Sequence, residues 1–102
     1  MKITEENFNS IMQQPLPVMI DFGATWCGPC KALAPRIEEL EKEYEGRIAI
    51  GTADVDECSE LSARFRIRNV PTVLFFKGGE VVDKSVGLVA KETLAEKLNA
   101  LL

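Results

Sequence analysis

The strongest indication of the fold of this chain is one short stretch, Trp26-Cys27-Gly28-Pro29-Cys30-Lys31. It follows the apolar run 18–22 and precedes a helical pattern that starts near Cys30, so the predicted order is strand, tight turn, helix. Two cysteines separated by two residues can close a small disulfide ring with little movement of the chain. At the start of a helix they also meet unpaired backbone N–H groups and the positive end of the helix dipole. Both favour the nucleophilic thiolate, which predicts a reversible dithiol/disulfide pair.

The residues around the two cysteines favour a stiff turn. Gly28 and Pro29 keep it tight, and proline suits an early helical position because its missing N–H would have no partner there. Trp26 is the only tryptophan of the chain. We expect it to lie at the rim of the turn, where it would report on the state of the cysteines.

Composition narrows the classes of protein to consider. A length of 102 residues predicts a single domain over 1–102. The net charge of −4 argues against nucleic acid or an anionic membrane as the main partner. No apolar stretch approaches the roughly 20 residues of a membrane span, and the N-terminus lacks the apolar run of a signal peptide. We therefore expect a cytoplasmic protein.

The cysteine and histidine counts bear on the chemistry. The chain has three cysteines, an odd number that does not suit a secreted disulfide scaffold, and no histidine. Without histidine, Cys/His and Ser/His nucleophilic arrangements and most zinc sites are excluded. A metal site on the Cys-x-x-Cys pair would usually need four ligands, and only Cys58 remains. A metal site shared between two chains stays open as an alternative, but we expect no metal.

Hydrophobic periodicity predicts eight elements in the order helix, strand, helix, strand, helix, strand, strand, helix. The predicted strands cover residues 18–22, 47–55, 72–76 and 80–85. Helices between strands imply parallel pairing with right-handed crossovers, whereas Gly78-Gly79 predicts an antiparallel hairpin at the end. The expected fold class is α/β, with a central mixed β-sheet flanked by helices on both faces.

Asp21 is the least expected residue outside the cysteines, because it lies in the middle of an apolar strand. A buried carboxylate is unfavourable unless it is paired or protonated. One interpretation is a salt bridge or a hydrogen bond to the backbone. The other is a raised pKa that lets Asp21 exchange a proton with Cys30 near neutral pH. We favour the second, because no other residue nearby could serve as a base.

Taken together, these residues resemble the thioredoxin family. A bare Cys-x-x-Cys is a weak signal, so the resemblance depends on several features that occur in the family's order and run from about Thr4 to the end. They are Asp21-Phe22, the segment 24–31, Pro35, Asp54-Val55-Asp56, the segments 65–72 and 75–80, and Val86-Gly87.

The resemblance implies a thioredoxin fold and a protein-disulfide reductase that maintains redox homeostasis through Cys27-Gly28-Pro29-Cys30. It implies that Cys27 is the exposed attacking thiolate and Cys30 the more buried resolving thiol. Asp21 would accept the proton of Cys30. The supporting residues of the active site would be Trp26, Gly28, Pro29 and Lys31.

The resemblance also implies a substrate-binding surface and partners. Pro71 would form a cis peptide bond facing the dithiol, Val70 would offer backbone groups to an extended peptide by β-augmentation, and Gly87 would leave room for that peptide beside Trp26. The substrates would be disulfide-containing proteins. An external thioredoxin reductase would restore the dithiol, because nothing in the chain binds nicotinamide or flavin. We expect a monomer without a cofactor other than the redox-active disulfide.

The sequence departs from the family pattern at two positions. Gly23 stands where many members have a second tryptophan, and Thr52 where a lysine often lies near the buried carboxyl. Without that positive charge, we expect Asp21 to ionise less readily.

The sequence also allows alternatives for the activity of the protein and for the role of Cys58. A redox protein of the same fold could be an oxidase or isomerase in an oxidising compartment, although the proline in the motif favours a reductase by analogy. A non-catalytic interaction subunit is the alternative from another class. Cys58 lies on the apolar side of its predicted helix, where we expect a buried small side chain, with a regulatory thiol as the less favoured interpretation.

Overall fold

A computed structural model describes all residues from 1 to 102. It contains four helices and four strands, in the predicted order. Their bounds are α1 Phe8–Gln13, β1 Val18–Gly23, α2 Gly28–Glu43, β2 Ala49–Asp54, α3 Ser59–Arg64, β3 Thr72–Lys77, β4 Glu80–Val86 and α4 Lys91–Asn99.

The four strands form one sheet in the order β2-β1-β3-β4. β1 pairs with β2 in parallel, whereas β3 is antiparallel to both β1 and β4. The mixed sheet is confirmed, and so is the antiparallel hairpin, whose Gly78 and Gly79 both have positive φ. The prediction that β3 runs parallel to β1 was wrong.

The direction of β3 follows from the short connection before it. α3 has only six residues, and the chain then continues through residues 65–71 without another helix. β3 starts with Thr72 beside Phe22, near the end of β1, and β2 ends beside the same part of β1, with Asp54 paired to Gly23. The connection therefore starts and finishes at the same end of the strands, so β3 has to run antiparallel to β1 and β2.

Both faces of the sheet are covered by helices, as the order of elements predicted. Successive residues of β1 point to opposite faces: Met19 packs with residues of α2 and α4, and Ile20 packs with residues of α1 and α3. The placement of helices on both faces is thus confirmed. None of the four helices combines the length and the apolar character that a membrane span requires.

Side-chain hydrogen bonds hold the turns before α1 and α3. Thr4 and Asn7 exchange reciprocal hydrogen bonds between side chain and backbone N–H, but α1 itself begins only after Asn7. α3 begins after Cys58. In the turn before it, the backbone N–H of Asp56 donates to Oδ1 of Asp54, which tightens the chain after β2.

Candidate active site

The two cysteines of the motif form a disulfide at the N-terminus of α2, with their Cα atoms 5.3 Å apart. Cys27 is the N-cap residue of this 16-residue helix, and Pro29 lies in its first turn. The backbone N–H of Cys30 donates to the sulfur of Cys27 at 3.2 Å. One of the otherwise unpaired N–H groups of the helix is therefore directed at the sulfur that would carry the negative charge. The predicted strand, turn and helix arrangement of the pair is confirmed.

The burial of the two cysteines differs from the expectation. Cys27 is 6% exposed and Cys30 is 8% exposed, so neither is an exposed residue in the disulfide form. The prediction of an exposed Cys27 beside a more buried Cys30 was wrong. The reason is packing: both cysteines belong to a small apolar cluster with Ala24, against which Val55 and Val70 pack.

The peptide bond between Val70 and Pro71 is cis, as the resemblance implied. The carbonyl oxygen of Val70 lies 3.7 Å from the sulfur of Cys27. Neither the N–H nor the carbonyl of Val70 makes a backbone hydrogen bond within the protein. Because backbone groups are strong donors and acceptors, this edge beside Cys27 can accept an additional extended strand.

Gly87 lies next to this edge. Its N–H donates to the carbonyl of Pro71 at 2.8 Å, and its φ of +90° favours glycine. A Cβ built at Gly87 would meet no heavy atom within 4 Å, so the space above this residue is open. Val70, Pro71 and Gly87 are thus connected to one another and to Cys27.

Trp26 lies at the rim of the site, with 68% of its surface exposed. Its indole N–H donates to Oδ2 of Asp56 at 3.0 Å. Asp56 was not among the site residues predicted from the sequence. The parallel pairing of β1 with β2 was the signal that could have found it, because it brings the segments after both strands to one edge of the sheet.

Asp21 is buried, with 5% of its surface exposed, on the central strand between Thr52 of β2 and Val73 of β3. Its Oδ1 has no hydrogen-bond partner in the protein, and Asp21 makes no ion pair. The salt-bridge interpretation was therefore wrong. Burial raises the pKa of Asp21 to about 6, because the charged form loses solvation. A carboxyl with this pKa can exchange a proton near neutral pH.

One cavity of about 250 Å³ connects Asp21 with Cys30. The buried part of its lining includes Asp21, Cys30 and Ala53, whereas Thr25, Lys31 and Thr52 on its lining are exposed. The remaining lining residues are Gly23, Ala24, Ala34 and Asp54. Cys27 does not line it. Gly23 and Thr52, which depart from the family pattern, both border this cavity, and the sequence did not predict it.

Cys58 lies away from the motif, in the hydrophobic cluster on the other side of the sheet. It is 1% exposed, which agrees with the expected buried side chain, and its thiol donates to the carbonyl of Ile3 at 3.6 Å. Burial raises the pKa of the Cys58 thiol, and the negative charge of Glu5 raises it further. No group of three or more Cys, Asp or Glu side chains is arranged to hold a metal ion.

Comparison with known proteins gives a consistent result. The family model described as Thioredoxin matches residues 1–100. Thioredoxin from Staphylococcus haemolyticus is 47% identical over 98 residues, which are 96% of this chain and 93% of the relative. Thioredoxin C-2 from Corynebacterium nephridii is 45% identical over 93 residues, which are 90% of this chain and 86% of the relative.

A plant relative is similar over the same region. Thioredoxin M-type, chloroplastic, from spinach is 46% identical over 92 residues, or 90% of this chain, and the chain spans about half the length of that relative, 51%. Family membership agrees with the disulfide between Cys27 and Cys30 at the start of α2. The chain belongs to the thioredoxin family, and its activity is thiol–disulfide exchange as a protein-disulfide reductase.

Proposed function

We propose that the residues of this site divide the reduction of a protein disulfide into two steps, with Cys27 as the attacking group and Cys30 as the resolving group. The observation that carries this assignment is the hydrogen bond from the N–H of Cys30 to the sulfur of Cys27. This N–H and the positive end of α2 stabilise a thiolate on Cys27 once the disulfide is reduced. Since the thiolate is the nucleophile, Cys27 is the residue that attacks.

In the first step, a substrate segment pairs with the free backbone edge of Val70 beside the cis bond to Pro71. The space above Gly87 and the exposed face of Trp26 accommodate the rest of the segment. The Cys27 thiolate attacks one sulfur of the substrate disulfide, and the other substrate sulfur leaves as a thiolate. A mixed disulfide between Cys27 and the substrate results. Because the contacts are to backbone atoms, many different proteins can be substrates.

In the second step, Cys30 loses its proton and attacks the sulfur of Cys27. The mixed disulfide breaks, the substrate leaves with its second thiol, and the disulfide between Cys27 and Cys30 forms. Asp21 accepts the proton of Cys30, because both residues line one cavity and burial raises the pKa of Asp21 to about 6. Two electrons pass from the dithiol to the substrate.

A further partner has to return two electrons to the oxidised chain. We propose an external thioredoxin reductase for this role, with disulfide-containing proteins as the substrates. The disulfide itself is the redox group, so the proposal needs no other cofactor. Both of its cysteines belong to one chain, so we propose that the chain works as a monomer. The reaction suits the reducing environment of the cytoplasm, where substrate disulfides are to be kept reduced.

The division of roles is tested by trapping the mixed disulfide. With insulin as the disulfide substrate, Cys30→Ser should accumulate a covalent complex through Cys27, because the resolving thiol is absent. Cys27→Ser should form none and should not reduce insulin. Non-reducing gel electrophoresis and peptide mass analysis identify the linked residue. A complex with insulin that is linked through Cys30 in the Cys27→Ser variant would contradict the assignment.

A further inference from the structure

The cavity beside the disulfide reaches only one of its two sulfur-bearing residues. Cys30 is part of its lining and Cys27 is not. Cys27 instead faces the carbonyl of Val70, on the side where substrate peptides would pair. The disulfide therefore has two separate approaches, one to each cysteine.

Small residues keep the approach to Cys30 open. A Cβ built at Gly23 would lie 3.4 Å from both Cβ and Sγ of Cys30, so any larger side chain at position 23 would extend across this cysteine. Ala34 follows Cys30 by one turn of α2 and also lines the cavity. Thr52 has a short side chain on the exposed part of the lining. A volume of about 250 Å³ suits a compact molecule and not a folded protein segment.

We propose that this cavity admits a low-molecular-weight thiol, which attacks the sulfur of Cys30 directly and reduces the disulfide without a protein partner. The proposal rests on the proposed function, because it supplies a second source of electrons to the same disulfide. The proposed route differs from the exchange with protein substrates in two ways. The sulfur of Cys30 is attacked, and the attack comes from the side of the cavity.

The exchange balances as two consecutive displacements. The thiolate of the small thiol bonds to the sulfur of Cys30, the bond between Cys27 and Cys30 breaks, and Cys27 leaves as a thiolate. A second small thiol attacks the sulfur that was added, releasing a small disulfide and the Cys30 thiol. Two thiols are oxidised and one protein disulfide is reduced. Cys27 is a good leaving group, because the N–H of Cys30 and the N-terminus of α2 stabilise its thiolate.

The charges in the lining favour one class of thiol. Two acidic residues, Asp21 and Asp54, and one basic residue, Lys31, line the cavity. The lining therefore has a formal excess of one negative charge, which attracts a cation more than a neutral molecule or an anion. A compact thiol that carries an ammonium group, such as cysteamine, should therefore react faster than neutral mercaptoethanol or anionic mercaptopropionate, each compared at equal thiolate concentration.

The test compares two leucine substitutions on α2. Ala34→Leu fills the cavity, whereas Ala32→Leu adds the same side chain at an exposed position that does not line it. Reduction of the oxidised protein by excess cysteamine is followed by stopped-flow fluorescence of Trp26. Because exchange rates depend on access to the attacked sulfur, Ala34→Leu should be about tenfold slower than wild type, and Ala32→Leu should match wild type.

A second readout separates blocked access from general damage. In a reduced Cys30→Ser background, formation of the mixed disulfide between Cys27 and insulin should stay within about twofold of the rate without the leucine in both leucine variants, since this first step uses Cys27 and the Val70 edge and not the cavity. Equal cysteamine rates in Ala34→Leu and wild type would overturn the proposal, and so would equal slowing of both reactions or faster reaction with mercaptopropionate. If wild type failed to reduce insulin, the proposed function would fail, whatever the cysteamine result.

Discussion

The backbone N–H of Cys30 donates to the sulfur of Cys27 at 3.2 Å, so the two residues of the disulfide are also joined across the first turn of α2. This bond distinguishes the two cysteines more clearly than their exposure, because the exposed fractions are 6% and 8%. When the disulfide opens, the same N–H can stabilise the thiolate of Cys27. Cys30 has no such donor in the structure, but it shares a cavity with Asp21. The asymmetry needed for a two-step exchange thus comes from the helix N-terminus on one side and a buried carboxyl on the other.

Replacing Asp21 with asparagine should stabilise the oxidised protein at neutral pH. Burial raises the pKa of Asp21 to about 6 from 3.8, so the folded state binds more protons than the unfolded state between these two values. Stability therefore falls as the pH rises through this window, and the loss is complete above pH 6. At pH 7, Asp21→Asn should raise the free energy of unfolding by about 3 kcal/mol, as urea unfolding can measure.

The pH dependence provides the control for this prediction. Near pH 4 the carboxyl of Asp21 is mostly protonated in the folded protein, so the difference between Asp21→Asn and wild type should nearly vanish. Glu45→Gln makes the same change from carboxyl to amide at an exposed position and should leave stability nearly unchanged. A difference between Asp21→Asn and wild type that is equal at both pH values would show that the charge of Asp21 is not its cause.

The same substitution should slow the second step of the exchange. Without a proton acceptor beside Cys30, the mixed disulfide on Cys27 should persist longer in Asp21→Asn, and general base catalysis of this kind typically contributes about 100-fold or more. Rapid-quench gel analysis with insulin measures the lifetime of the complex. In wild type, resolution should slow as the pH falls below about 6, where Asp21 becomes protonated. An unchanged lifetime in Asp21→Asn would remove Asp21 from the mechanism.

A lysine at position 52 should make Asp21 easier to ionise. Thr52 is the neighbour of Asp21 in the sheet and lines the same cavity, and it is exposed, so a longer side chain can be placed there. An ammonium nearby favours the charged carboxylate, so Thr52→Lys should lower the pKa of Asp21 below its value of about 6. Carboxyl-carbon NMR titration of both proteins measures this directly. The matched neutral variant, Thr52→Met, should not lower it, and identical titrations of Thr52→Lys and wild type would refute the prediction.

Cys58 should react slowly with alkylating reagents in the native protein. It is 1% exposed, and burial together with the charge of Glu5 raises its thiol pKa, so little thiolate is accessible. In reduced protein, iodoacetamide should modify Cys27 first, and Cys58 only after denaturant is added. Time-resolved peptide mass analysis separates the sites. Rapid native labelling of Cys58 would instead support the interpretation of a regulatory thiol.

The sequence predicted most of the fold because its strongest signals are local. The order of helical and strand patterns predicted helices on both faces of the sheet, and the two glycines at 78 and 79 predicted the hairpin; both predictions are confirmed. The direction of β3 was missed because it depends on the path of residues 65–71. That path has no periodic pattern. The rule that a helix between two strands implies parallel pairing does not apply to a connection that starts and finishes at the same end of the strands.

The site was predictable where a motif determines it and not where several elements meet. The Cys27–Cys30 pair and the cis bond before Pro71 followed from sequence and resemblance. The cavity could not be predicted, because it forms where the small residues Gly23 of β1 and Ala34 of α2 leave space between the two elements. The burial of Cys27 was missed for a similar reason, since the packing of Val70 against it joins segments more than forty residues apart.

The most direct test of the central claim is a redox titration in glutathione buffers, followed by the fluorescence of Trp26, with Cys27→Ser as the control. A protein-disulfide reductase should show one two-electron transition with a midpoint well below that of the glutathione couple, and the control should show none. A midpoint near or above the glutathione couple would contradict a reductase and favour an oxidase or isomerase. The absence of any transition, with free thiols verified separately, would favour a non-catalytic interaction subunit.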